Sequence, residues 1–161
     1  MKPRNTVIQQ QDAARIHEIL SRFLGDSSAA EALLIDRSGQ LLAMDGDAQA
    51  LDTVSISALA AAAFSSTAAM AQLRGEPEFS VLFHEGTKRS IHVSTVDDEA
   101  ILLAIFDERT TVGMVRLFAK EACRAIGTVL EEARNQPRRV GALAAPLTAD
   151  EVRTDIGRKK H

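Results

Sequence analysis

Cys123 and four histidines, His17, His84, His92 and His161, have the widest chemical repertoire in this 161-residue sequence. Their spacing gives them little to do. No histidine has a carboxylate three or four residues on in a ligand pattern, and neither HExxH nor CxxC occurs. A single thiol cannot close an internal disulfide or build a cysteine cage for a metal. A nucleophilic cysteine also needs a basic partner, and Cys123 falls beside the apolar stripe of a helix, so the expectation is a buried structural thiol. His92, on a strand, reads as a packing residue rather than a ligand. Asp97-Asp98-Glu99 reads as a solvated hairpin turn rather than a cation site. Phosphate loops of the GxxxxGK[ST] and GxGxxG types are absent. No catalytic residue, metal ligand or cofactor is expected.

Arginines are the remaining candidates. Arg37, Arg74, Arg89 and Arg109 fall in or near loops. An exposed loop arginine can stabilise phosphoryl transfer on a partner GTPase, whereas the ordinary alternative is a solvated or ion-paired side chain. The terminal run Arg158-Lys159-Lys160 reads as a solvated end, with weak attraction to an acidic partner or anionic lipid as the alternative.

Composition limits the classes further. Charged residues make up 25% and the AVILMFWYC set 45%, which suits one globular domain. There are 26 alanines and neither Trp nor Tyr, which argues against stacking bases or sugars on aromatic platforms. A net charge of −3 gives no general reason to bind nucleic acid or an anionic membrane. That charge is uneven: residues 1–134 carry −6 and residues 135–161 carry +3. The lone cysteine and the absence of a signal-type apolar run lead us to expect a cytoplasmic protein.

Eight elements must position whatever site exists. Ile16, Ile19, Leu20, Phe23 and Leu24 predict a helix over 12–24, capped by Asp12 and stopped by Gly25. A hairpin follows, with strands over 30–36 and 40–44 about the turn Arg37-Ser38-Gly39. A long helix runs from about 52 to 73 with Asp52 as its cap. Three strands come next, over 79–84, 90–96 and 100–106. Ile91 and Val93 lie on one face of the middle strand, and His92 and Ser94 on the other. Ala100–Phe106 is apolar on both faces and therefore central. A last helix over 112–134 is capped by Thr110 or Thr111. Its stripe is Val115, Phe118, Ala122, Ile126, Val129 and Leu130. The expected organisation is a flexible N-terminus over 1–11, a domain over 12–134, and a basic linker and tail over 135–161 with a short helix at 148–156. The fold class is α+β, one five-stranded antiparallel sheet with helices on both faces.

The long helix is unusual. Residues 53–73 carry no charge, yet eight weakly hydrophobic alanines and six hydroxyls argue against a membrane span. On a wheel, Ile56, Leu59, Ala63, Met70 and Leu73 share a bulky face that is expected on the sheet. Ser57, Ala61, Ser65, Ala68 and Gln72 make the opposite face, with Val54 and Phe64 at its edges. A face without charge suits close approach of another helix or protein, and burial by the chain itself is the plainer alternative.

Four segments together resemble one family. They are IDRSGQLLA, LDTVSISALAAAA, GEPEFSVLFHEGTKRSIHVS and AIFDERTTVGMVRLFAKEA. In order and spacing, over about 12–134, they are similar to the roadblock/dynein-light-chain family, in its bacterial MglB-like branch. The resemblance implies an αββαβββα fold and a homodimer joined through the long helix and the strand after it, with Ser57, Phe64, Phe79 and Val81 at the interface. It also implies an MglA-like, Ras-like small GTPase seated on the paired helices at Ala61, Ala62, Ser65, Ala68, Ala69 and Gln72. In that branch the dimer accelerates GTP hydrolysis by remodelling the switch region, without inserting an arginine. The setting would be cytoplasmic, near a cell pole, in polarity or gliding motility. The alternative is an adaptor that only recruits a GTPase or motor complex. A ligand-sensing domain is a third reading. One departure stands out: Ala62-Ala63, followed by Phe64, replace the Gly-Asn pair that the branch often carries.

Overall fold

A computed structural model of the chain describes residues 8–47, 52–75 and 81–136. Phe79, the linker and tail beyond residue 136 and the proposed helix at 148–156 lie outside those residues.

Ala100–Phe106 forms the strand β5, and every one of its residues is buried. A strand apolar on both faces must be covered on both, and β5 is accordingly the middle of five. Its neighbours are β1 (Glu31–Asp36) and β4 (Ser90–Thr95), and the edges are β2 (Leu41–Gly46) and β3 (Val81–His84). All pairings are antiparallel, with the order β2-β1-β5-β4-β3. Helices α1 (Gln10–Ser27) and α3 (Val112–Asn135) pack on one face and α2 (Thr53–Leu73) on the other.

The strand alternation separates two cores. Ala32, Leu34, Leu102 and Ala104 face α1 and α3, whereas Leu33, Ile35, Ile101 and Leu103 face α2. Ala32 lies opposite Ala104 in the ladder, which leaves room for the side chains Ile16, Leu20, Val115 and Ile126 above them. Full burial of each such Leu or Ile contributes about 1.5–3 kcal/mol.

Two termini of α1 differ from expectation. The helix begins at Gln10, inside the segment expected to be flexible, and Gln9 caps it without a side-chain hydrogen bond. Asp12 instead sits in the first turn, 3% exposed and 3.8 Å from Arg15. Gly25 lies within the helix. The chain turns at Ser28, whose φ is 60° and whose N–H donates to the Leu24 carbonyl. Gln10 and Gln11 are good helix formers, and a Ser in the left-handed region terminates the helix in the place where glycine is usual.

The other ends follow the sequence. Thr111 Oγ1 accepts from the Met114 N–H at the start of α3. Asp97 Oδ1 accepts from the Glu99 and Ala100 N–H groups, both at 2.8 Å, and so shapes the β4–β5 turn. Arg134, near the end of α3, pairs with Asp97 and lies 3.7 Å from Glu99. The acidic turn is thus tied down by an arginine. Gly46 needs to be glycine: its φ is 111°, and a Cβ would meet the Ala30 carbonyl oxygen at 2.3 Å.

Glu31, at the start of β1, is 2% exposed and its Oε2 has no partner among the described residues. Burial pushes its carboxyl above the usual range, against the pull of Arg89 at 3.7 Å, with Asp47 pushing further upward. A raised carboxyl favours the fold most below its ordinary pKa, and that advantage is lost as pH rises through the folded value. Glu31→Gln should therefore stabilise the protein at pH 7, because a neutral amide costs less to bury than a carboxylate. The gain should shrink as pH falls through the folded-state pKa. Urea denaturation across that range checks it, and a pH-independent difference would contradict it.

Candidate partner surface

Helix α2 begins where Asp52 Oδ1 accepts from the Ser55 N–H at 3.1 Å and Oδ2 accepts from the Ser55 hydroxyl at 2.6 Å. These bonds hold the Asp52 carboxyl below its usual range. The helix ends at Leu73, and Gly75 turns the chain with φ 74°. Between those ends there is no charged side chain to fix which face meets the sheet.

Phe64 fixes it. It is the only aromatic residue in α2 and 1% exposed, inserted among Leu33, Ile35, Ile101 and Leu103, with the Arg37 guanidinium 4.9 Å from its ring centre. Ser57, Ala60, Ala61 and Ala71 are buried with it. The helix is therefore rotated by one residue, about 100°, from the wheel reading. Ser57, Ala60, Phe64 and Ala71 are buried, and Ile56 packs beside them as expected, whereas Leu59 and Met70, also expected on the sheet, are exposed. A helix apolar on nearly every side gives a wheel no contrast to read.

The rotation reassigns the candidate residues. Ala61, expected to face a GTPase, is 5% exposed, and Ser57 and Phe64, expected at a dimer interface, are 0% and 1% exposed within the single chain. These three point into the protein's own core. Ala68 is half-buried. Ala62, Ser65, Ala69 and Gln72 are exposed along one side of the helix. Beside them lie Val54, 76% exposed as its place at the edge of that face implies, and three large side chains expected on the sheet instead: Leu59, Met70 and Leu73, exposed by 69%, 58% and 88%. Only the aromatic at position 64 could have signalled this in the sequence.

The exposed face is apolar in a further respect. Ser66 Oγ donates to the Ala62 carbonyl at 3.0 Å and Thr67 Oγ1 to the Ala63 carbonyl at 2.9 Å. Two of the hydroxyls therefore satisfy themselves within the helix. Large exposed apolar side chains therefore stand on this face beside small neutral ones, with no charge among them. By length and composition α2 would also be long enough to cross a membrane, but its Phe64 side is packed on the sheet.

Strand β3 adds a second unpartnered feature. It is an edge, paired only with β4 among the described strands. Val81 is half-buried, and Phe83 is 40% exposed, stacked on Phe106 at 6.1 Å. Its outer N–H and C=O groups are a template for another strand.

Three of the four loop arginines and the cysteine are held within the chain. Arg109 grips both Asp107 oxygens at 2.9–3.2 Å, Arg89 lies 3.7 Å from Glu31, and Arg37 covers Phe64 and donates to the Asp97 carbonyl. Arg74 is exposed at the end of α2. Cys123 is buried 3.3 Å from Ser94 Oγ, and burial pushes its thiol up to about 11, which leaves it protonated and inert. Among the described residues, no group of three or more His, Cys, Asp or Glu is placed to hold a metal ion.

Comparison with known proteins adds identity to this geometry. Residues 15–106 match the model of the Roadblock/LC7 domain. Among solved structures, Myxococcus xanthus MglB is 36% identical, with a TM-score of 0.70 over 73% of this chain and 95% of that one. A structure described as MglB with a tetrameric arrangement is 32% identical, with a TM-score of 0.76 over 83% and 99%. The gliding protein MglB from Thermus thermophilus is 31% identical, with a TM-score of 0.75 over 82% and 99%. No curated protein sequence matches. A helix–sheet–helix domain with an uncharged, outward-facing central helix, alike in fold and sequence to these proteins, belongs to the Roadblock/LC7 family.

Proposed function

We propose that this chain forms a homodimer whose paired α2 helices receive a GTP-loaded, MglA-like, Ras-like small GTPase and stimulate its GTP hydrolysis. The observation that carries the reading is the exposed face of α2. It is uncharged and rich in small residues, and it stands on a chain 31–36% identical to MglB proteins. Leu59, Met70 and Leu73 supply the apolar area that a second protomer would bury, and the free edge of β3 gives its strand a place to pair. Ala62, Ser65, Ala69 and Gln72 have short side chains that let a GTPase approach the helix backbone. The chain works by remodelling the GTPase's switch region so that the GTPase's own groups reach the γ-phosphate. The tethering of Arg37, Arg89 and Arg109 within the chain supports that division of labour. The protein acts in the cytoplasm, at a cell pole, in polarity or motility.

The dimer is tested by size in solution. Wild-type protein should sediment as a dimer at micromolar concentration, and Leu59→Glu combined with Leu73→Glu should sediment as a folded monomer. An exposed-face substitution costs the monomer little, whereas two like charges buried in an interface cost several kcal/mol. A wild-type monomer would contradict the assembly. Arg74→Ala tests the mechanism: retained activation supports remodelling, whereas a loss of about a thousandfold in rate with binding intact identifies an arginine finger.

A further inference from the structure

On the sheet face away from α2, a groove of about 400 Å³ opens between β4 and α3. Its α3 side carries Arg116, Lys120 and Arg124, spaced four apart in one row, and no carboxylate lines it. None of these three side chains forms an ion pair among the described residues. A concave site with cations and no counter-charge is unexpected in a chain of net charge −3. The floor is His92, 1% exposed, with neither ring nitrogen hydrogen-bonded among the described residues. Burial, and then Arg116, hold its imidazole below the usual range, so it is neutral and keeps one N–H donor without an acceptor. An apolar residue of similar size would fill the same space without that unmet donor.

We propose that this groove binds a phosphate group, held by Arg116, Lys120 and Arg124 above His92. Phosphate suits the site because its charge and several oxygens can engage three cations at once. The site lies on the opposite side of the sheet from the α2 surface, so a ligand here would leave the GTPase-binding face open.

Calorimetric titration of the full chain with inorganic pyrophosphate tests the proposal, with the His92 ring resonances followed by NMR. Saturable binding that shifts the His92 resonances is expected. Arg116→Glu and Lys120→Glu, both at exposed positions, should each weaken binding by about tenfold with the fold unchanged. Arg22→Glu, on the exposed side of α1, should leave binding unaltered. Sedimentation with phosphatidic acid vesicles distinguishes a lipid headgroup from a soluble molecule as the phosphate source, and dependence on Arg116 supports the site in either case. No binding to pyrophosphate or vesicles at millimolar phosphate would overturn the proposal. So would binding indifferent to both Arg116→Glu and Lys120→Glu.

Discussion

Ala69→Arg is expected to abolish binding of a GTP-loaded Ras-like GTPase while leaving the domain folded. Ala69 is exposed in the single chain, so the larger side chain displaces no core atoms and costs little stability. In the proposed complex the guanidinium would enter a surface with no carboxylate in α2 to receive it. A buried, unpaired charge costs about 3–5 kcal/mol, or more than about a hundredfold in affinity. Ser65→Arg should behave alike, since it lies one helical turn away on the same exposed side. Titration of GTPase against each variant reads the affinity, and sedimentation separates loss of the GTPase from loss of the dimer. Unchanged affinity in both variants would remove this face from the account.

Phe64→Ala should cost about 3–5 kcal/mol of folding stability, the range for deleting a buried aromatic ring. The substitution empties the space among Leu33, Ile35, Ile101 and Leu103 and removes the surface that Arg37 covers. Leu59→Ala removes a larger aliphatic side chain than most of α2 carries, yet at 69% exposure it should change single-chain stability by less than about 0.5 kcal/mol. Urea unfolding below the dimer dissociation constant compares the two. The reverse ranking would mean that α2 meets the sheet with the face that the wheel chose, not the face described above.

Much of the fold was legible because the relevant signals are strong and local. The unbroken apolar run of Ala100–Phe106 announced a central strand, and the alternation in β4 placed Ile91 and Val93 opposite His92 and Ser94, as found. Thr111 and Asp52 cap the helices that they were expected to cap. The phase of α2 was not legible. Eight alanines and six hydroxyls spread around the wheel carry almost no contrast, so burial was decided by one bulky ring and the sheet residues it meets, which only the tertiary structure brings together. As a result Ala62, Ser65, Ala69 and Gln72 keep the exposed place expected for them, while Ser57, Ala61 and Phe64 do not. The start of α1 was misread for a different reason: an aspartate two residues into a helix has the same sequence signature as one that caps it. His92 was expected as a packing residue, and it is buried on β4; the cations above its unpaired nitrogens come from α3, a separate element that its own strand pattern does not announce.

The central claim is that the exposed face of α2 receives and activates a GTPase, and single-turnover GTP hydrolysis tests it most directly. A Ras-like GTPase of the MglA type is loaded with GTP, and phosphate release is timed alone, with the wild-type chain, and with Ala69→Arg. The account predicts acceleration by the wild-type chain, kept in Arg89→Ala and Arg109→Ala and lost in Ala69→Arg. An unchanged rate in the presence of a bound wild-type chain would contradict it and leave an adaptor that recruits a GTPase without acting on its chemistry.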